Sequence, residues 1–343
     1  MQTERRMNIY MEEDADRGIL EGKTIAVAGY GNQGRPQALN LRDSGCAVIV
    51  GAREGGRGRK SAQDDGFEVA SVAEAAGRAD ILMMLLPDEV QAEVYENEIR
   101  DALRPGAALC FAHGFSVAFG GIQEGKFDLI LVAPKGQGGR LRETYLEGGG
   151  LPCFVGVAHD ASGGARKIAL AVAGALGCLR IGAYETSFRE EAVSDIFGEQ
   201  AVLCGGVSAL MKRAFDVLVK RGHSPEVAYF ECFQEVKIIV DLFSRLGLSG
   251  MRDVISGTAA YGSLKFGEDL IGDDVEEKME ELYERIESGA FARIWLDENR
   301  GGCKEFLKLR EKERGLLIEK VGTEVRARAK ASCGSRGRAK KGS

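Results

Sequence analysis

Asp195 and Glu199 stand four residues apart in DIFGEQAVLCGG, and Glu231 and Glu235 repeat that spacing in AYFECFQEVKIIVDL. A spacing of four puts both members of a pair on one helix face, roughly one turn apart. Burying such carboxylates is costly unless cations offset them. Oxygen ligands with few His or Cys candidates nearby favour Mg2+ or Mn2+ over zinc. A solvated face is the plain alternative for acidic residues at helical spacing. Phe197 and Gly198 within one pair, and Cys232 and Phe233 within the other, argue against a wholly solvated one.

The second constellation is GYGNQG, with Gly29, Gly31 and Gly34 in GxGxxG spacing. GxGxxG alone is weak in a chain with 47 glycines. Its context makes it strong: KTIAVA before it predicts a buried strand, residues 33–44 predict a helix, and CAVIVGA predicts a second strand. Such glycines permit a tight turn and let backbone approach a pyrophosphate at the helix N-terminus.

The end of that second strand separates NAD from NADP. An acidic residue there would hold the ribose 2′-hydroxyl. Here Gly51 and Ala52 lead to Arg53, then Arg57, Arg59, Lys60 and Ser61, with Glu54 partly offsetting the charge. A cationic loop suits a 2′-phosphate, which Arg can bind bidentately. NADPH is the expected cofactor, against the plainer reading of a solvated basic loop.

These groups need elements to hold them. ADILMMLLPDEVQ, AALCFAHGFS and FDLILVAPKG each predict a strand running into a loop, and LPCFVGVAHD and CLRIGAY are further strand candidates around the helix SGGARKIALAVAGAL. Ligands of open parallel sheets lie outside the carboxyl ends of the strands. Pro87 and Asp88, His113 and Lys135 all fall at such ends. From about residue 187 strand signals fade and apolar 3.6-residue periodicity takes over. Residues 190–222 predict one long or interrupted helix, and 225–247 another, with Pro225 at its start and Gly247 at its stop. The expected division is a nucleotide-binding α/β domain over 1–186, a helical domain over 187–328 and a disordered basic tail over 329–343.

The chain's 343 residues imply about two domains, and 44% apolar residues can build a sizeable core. A net charge of −6 gives no reason to expect nucleic acid. The eight cysteines are scattered without a CxxC pair, which predicts reduced thiols in a cytoplasmic protein. The N-terminal segment lacks the apolar stretch of a signal peptide, and the longest apolar run, at 81–86, is far too short to span a bilayer.

GKTIAVAGYGNQGRPQALNLRDSG, LLPDEVQAEVY, FAHGF, APKGQG, DIFGEQAVLCGG, PEVAYFECFQEVKIIVDL and IEKVG occur in this order. Together they resemble the ketol-acid reductoisomerases (acetohydroxyacid isomeroreductases), short class I form, over roughly residues 8–328. The resemblance implies a Rossmann domain followed by an all-helical, knotted domain that dimerises. It implies a Mg2+-dependent alkyl shift in an acetohydroxy acid, then NADPH reduction of the resulting 2-keto acid. The products are 2,3-dihydroxy-3-methyl acids of valine and isoleucine synthesis.

Carried over by position, Asp195, Glu199, Glu231 and Glu235 match the carboxylates that hold two Mg2+ ions. Some of these come from the partner subunit in the family, so a homodimer or higher homo-oligomer is implied. Ser256 matches the substrate-contacting serine, His113 the active-site histidine and Lys135 a lysine lining the site. Gly29, Tyr30, Gly31, Asn32, Gln33, Gly34, Arg53, Arg57, Arg59, Ser61, Asp88, Glu89, Val90, Gln91 and Gly138 match or extend the NADPH contacts. Glu235 or a metal-bound hydroxide would take the hydroxyl proton.

The sequence also departs from the family pattern. Gly56 and Gly58 replace serines of the 2′-phosphate loop, Gln137 and Gly139 change the stretch after APKG, and Ala118 stands near a usual histidine. SNTAEYG reads SGTAAYG, so Gly257 and Ala260 lose two polar groups near Ser256. These changes keep open a paralogue that reduces another 2-keto or acetohydroxy acid, or a catalytically weakened nucleotide-binding relative.

Overall fold

The computed structural model describes residues 7–123 and 125–338, with side chains as far as position 329. It divides into two compact units between Asp195 and Ile196.

The first unit is built on nine strands: β1 (Ile9–Tyr10), β2 (Thr24–Ala28), β3 (Ala47–Gly51), β4 (Glu68–Ala70), β5 (Ile81–Met84), β6 (Ala108–Phe111), β7 (Asp128–Pro134), β8 (Cys153–His159) and β9 (Ala183–Glu185). Their order in the sheet is β1-β9-β8-β7-β6-β5-β2-β3-β4. ILMM, ALCF and DLILVAP are buried at every position, as strands covered on both faces must be. Each large side chain buried there contributes roughly 1.5–3 kcal/mol. The helices α1 (Gly34–Asp43), α2 (Arg57–Asp64), α3 (Val72–Arg78), α4 (Asp88–Val94), α5 (Phe115–Ala118), α6 (Gly138–Leu146) and α7 (Ala165–Ala175) fill the connections. Ala38 and Leu41 of α1, Leu141 of α6 and the alanine-rich α7 build one core cluster, while Val72, Ala75 and Ala76 of α3 enter another.

The sheet is mixed. β2 through β7 pair in parallel, but β8 runs antiparallel to β7, and β1 antiparallel to β9. The expected strand CLRIGAY is confined to its end. Cys178–Arg180 form a 3-10 turn, because Gly177 and Gly182 take positive φ on either side.

α8 (Phe188–Gly198) leads into the helical unit, where helical periodicity is broken twice. A π-helical turn, Glu199–Leu203, precedes α9 (Gly205–Lys220). A second, Phe230–Gln234, separates α10 (Pro225–Tyr229) from α11 (Val236–Asp253). Each of the two long predicted helices is therefore interrupted at a carboxylate pair. Gly247, at φ 71°, breaks α11 where the helix was expected to stop. α12 (Gly257–Leu270), α13 (Asp273–Glu287), α14 (Ala290–Arg300), α15 (Lys304–Arg314) and α16 (Leu317–Arg338) complete the unit. One core cluster holds Phe215, Ala228, Tyr229, Ile318 and Val321, with Phe233 stacked on Tyr229 at 5.0 Å, while Ile196, Met251, Ile286 and Ala292 are buried as well. Many apolar side chains stay exposed, among them Ile238, Val240, Leu264, Phe266 and Leu270. α16 runs on through 329–338, where a disordered tail was expected, although Gly334 and Gly337 are poor helix formers. Positions 339–343 of that tail lie outside the described residues. No described helix is long and apolar enough to cross a membrane, and the described cysteines are unpaired.

Candidate functional site

The nucleotide end is set by close backbone packing. β2 ends at Ala28, and Gly29 turns the chain at φ 94°. A Cβ on Gly29 would stand 2.7 Å from the Leu85 carbonyl oxygen beyond β5, and one on Gly34 only 2.0 Å from the Gly29 oxygen. The α1 N-terminus thus opens beside the ends of β2 and β5, where strand order reverses, which is the place for a dinucleotide. Gly138 packs likewise: its Cβ would meet the Asn32 oxygen at 1.8 Å. Gln33 donates from Nε2 to the Gly136 oxygen at 3.1 Å, joining the two loops. Gly31 and Asn32 are exposed. Gln91 is buried and donates to the Leu86 oxygen and Asp88 Oδ1, which shapes the loop carrying Asp88, Glu89 and Val90.

Two side chains named for the cofactor have other partners. Tyr30 is buried, with its hydroxyl donating to Asp65 Oδ2 at 2.8 Å and its ring edge-on to Phe67. Burial, then that hydrogen bond, raises its pKa. Arg35 grips Asp65 bidentately, holding that carboxyl down at about 2. Arg59 donates to the Ala52 and Ala70 oxygens, tying α2 to the ends of β3 and β4. Arg53 and Arg57 remain exposed, and Ser61 is half-buried on α2. The family's missing loop serines have a structural counterpart: a Cβ on Gly58 would lie 3.2 Å from the Tyr30 oxygen, and one on Gly56 3.0 Å from Arg53 Cγ.

Beside this end lies an ion-paired cluster. His113 follows β6, Lys135 follows β7, and Glu191 and Asp195 lie one turn apart on α8. Glu191 is 1% exposed and accepts from Gly114 N at 2.7 Å, His113 Nδ1 at 2.9 Å and Lys135 Nζ at 3.1 Å. Lys135 also donates to Asp195 Oδ1 at 2.5 Å, while Asp195 Oδ2 lies 3.8 Å from His113. Burial opposes charge on His113, but the hydrogen bond and charge of Glu191, with Asp88 and Asp195 adding, lift its pKa to about 9. Lys135 is raised in the same balance, chiefly by Asp195 against burial. Burial pushes Glu191 up, yet His113 and Lys135 bring it below the ordinary value. At neutral pH the cluster therefore holds two cations against two carboxylates. Lys135 Nζ also lies 4.9 Å from the centre of the Phe154 ring, and Phe115 stacks against His113.

His113, Glu191 and Asp195 bring possible ligand atoms within 4.8 Å of one another. Glu191 is already committed to three donors, whereas Asp195 keeps 28% of its side chain exposed. Glu199 opens the first π-turn, Glu231 lies in the second, and Glu235 follows it; all three are exposed. π-turns widen a helix locally and recur at functional positions. Each of Asp195, Glu199, Glu231 and Glu235 carries carboxylate oxygen, the donor type that Mg2+ takes. Ser256 caps α12, accepting from Ala259 N at 3.2 Å, which leaves its O–H free to donate. Sequence reasoning passed over Glu191, although it precedes Asp195 by the same four residues that separate Asp195 from Glu199.

Residues 19–182 match the family described as acetohydroxy acid isomeroreductase, NADPH-binding domain, and 188–331 match ketol-acid reductoisomerase, C-terminal domain. Among solved structures, the chain is similar to an NADH-preferring ketol-acid reductoisomerase from an uncultured archean. Identity is 46% over 94% of this chain and 99% of that one, with a TM-score of 0.91. A semialdehyde dehydrogenase NAD-binding protein from Cupriavidus necator, in complex with calcium and NAD, shares the fold at 22% identity. It covers 77% of this chain and 99% of its own, with a TM-score of 0.56.

Proposed function

The chain belongs to the ketol-acid reductoisomerase family, and on that footing we propose that it converts 2-acetolactate or 2-aceto-2-hydroxybutyrate into 2,3-dihydroxy-3-methyl acids. The family reaction is an isomeroreduction in branched-chain amino acid biosynthesis. Beyond the family match, the observation that carries the reading is Lys135 paired with Asp195 and Glu191 beside the nucleotide turn.

Asp195, Glu199, Glu231 and Glu235 are the residues proposed to hold two Mg2+ ions. When bound, the ions supply charge that polarises the substrate's keto and hydroxy oxygens and favours the alkyl shift. The nicotinamide supplies hydride to the 2-keto carbon. Glu235 is proposed to take the substrate's hydroxyl proton. Lys135 and His113, both cationic at neutral pH, favour negative charge developing on the substrate. Ser256 is proposed to donate its hydroxyl hydrogen to the substrate carboxylate.

NADPH is the proposed cofactor. Arg53, on the loop after β3, and Arg57, the first residue of α2, are exposed where a 2′-phosphate would lie. The name of the archean relative sets NADH preference as the competing outcome. A homodimer is proposed because Ile238, Val240, Leu264, Phe266 and Leu270 expose more apolar surface than an isolated unit tolerates well. The unpaired thiols suit a reducing, cytoplasmic compartment.

The test is cofactor oxidation with Mg2+ and 2-acetolactate, then with 3-hydroxy-3-methyl-2-oxobutanoate. The reading expects turnover of both. Turnover of the second alone would mark a 2-keto acid reductase without isomerase action. Turnover of neither would mark a nucleotide-binding relative.

A further inference from the structure

Lys135 is held by its backbone and by its tip. Antiparallel pairing sets Ala133 opposite Phe154 and Pro134 opposite Cys153, and Lys135 N donates to the Pro152 oxygen at 2.8 Å. The β7–β8 pair thereby brings the Phe154 ring to the lysine. Lys135 Nζ lies 4.9 Å from the ring centre, well inside the range of cation–π attraction. The Lys135 side chain is 29% exposed, so part of its hydration has been exchanged for the ring face and two carboxylates.

The three contacts differ in how they survive the reaction. Asp195 is a proposed metal ligand, and a carboxylate committed to a divalent cation has less charge to offer an ammonium. Glu191 divides its oxygens among Lys135, His113 and Gly114. The face of a phenyl ring competes for neither metal nor proton. A lysine has a long flexible stem, and fixing its tip costs rotamer entropy. A contact indifferent to metal occupancy is therefore the one able to keep the tip in place throughout.

We propose that Phe154 is a positioning residue, whose ring face holds the Lys135 ammonium in the reaction site whether or not Asp195 is engaged by a divalent cation. The proposal rests on the isomeroreductase reading for its catalytic consequence, but the placement of the lysine can be read without turnover. With Nζ 4.9 Å from the ring centre, the ε-methylene bonded to it is expected to resonate upfield. In metal-free protein with 13C at the lysine ε-carbons, that signal, assigned by its loss in Lys135→Arg, should sit upfield. It should stay there when Mg2+ alone is added, move to the ordinary position in Phe154→Leu, and be kept in Phe154→Tyr. An ordinary position in the unmodified protein, or a return to it on adding Mg2+, overturns the proposal.

The catalytic consequence is read by placing 4-fluoro-, 3,5-difluoro- and 3,4,5-trifluorophenylalanine at 154. These nearly keep the ring's shape while draining its face of negative potential. kcat with 2-acetolactate should fall stepwise, by roughly three- to tenfold over the series, with KM for the nucleotide unchanged. A contact that only filled space would leave kcat flat, and a flat series overturns the positioning role. If the unmodified protein turns over no acetohydroxy acid, the isomeroreductase reading fails, and the methylene shift alone decides whether Phe154 holds Lys135.

Discussion

Nδ1 of His113 lies 2.9 Å from Oε2 of Glu191, a carboxylate that is 1% exposed and stands in the first turn of α8. Glu191 there meets the positive end of the helix as well as two cationic side chains. Removing it would leave His113 and Lys135 partly buried with half their compensation gone.

That pair makes the stability of the first unit pH-dependent. The folded value for His113, about 9, lies above its ordinary 6.5. Its contribution is therefore fully present below pH 6.5 and lost as pH rises through 9. Such a shift corresponds to about 3 kcal/mol at most. Glu191→Gln should lower the melting temperature of metal-free protein more at pH 7 than at pH 10, where the His113 share of the loss has gone and the loss of the Lys135 pairing remains. Thermal unfolding at both values checks this, and an equal deficit at both counts against the assignment.

The metal reading predicts that Glu231→Gln abolishes isomerisation of 2-acetolactate while nucleotide affinity stays within about twofold, because the two ligands use different residues. Titration calorimetry with the nucleotide and a turnover assay separate the effects. Isomerase activity surviving the substitution, or surviving exhaustive EDTA treatment, overturns the assignment.

Arg53, Arg57 and Arg59 should not behave alike. Arg53→Ala with Arg57→Ala is expected to weaken NADPH tenfold or more, by roughly 1.4 kcal/mol or more, with little effect on NADH. Arg59 instead ties the ends of β3 and β4 to α2. Arg59→Ala should lower the melting temperature and weaken both nucleotides together. Equal loss for both nucleotides in the Arg53 and Arg57 double variant would remove the 2′-phosphate role.

Gly257 and Ala260 follow Ser256 at the start of α12 and offer no side-chain hydrogen bonds. With fewer polar groups to match, a longer acyl chain costs less here. 2-Aceto-2-hydroxybutyrate is expected to be used at least as well as 2-acetolactate in kcat/KM. A strong preference for 2-acetolactate refutes this and leaves the metal and cofactor assignments as they stand.

Much of the first unit was legible because its signals are local. The glycine spacing, the buried runs 81–84 and 128–134, and the strand-end positions of His113 and Lys135 follow from neighbours in sequence. β4 was passed over: only three residues long, it shows too little pattern to register. The antiparallel turn of β8 depends on pairing with β7, which periodicity does not encode. The partners that Tyr30 and Arg59 find, Asp65 and the Ala52 and Ala70 oxygens, are tertiary neighbours that the sequence does not reveal. Both carboxylate pairs were read as ordinary helical spacing, while the structure widens the helix at each by a π-turn.

Among the described strands β1 pairs with β9 alone, and Asn8 and Tyr10 both donate to Glu185. The strand made first during synthesis therefore waits for the strand made last in its unit. Until residues 183–185 have left the ribosome, β9 does not exist for it to join. A nascent chain stalled just short of residue 183 would carry a loose amino-terminal arm and a bare β8 edge. Such an edge is a template for wrong pairing between neighbouring chains on a polysome. The edge strand of this sheet thus rests on a pairing, Ile9 with Tyr184, that an interrupted synthesis leaves unmade.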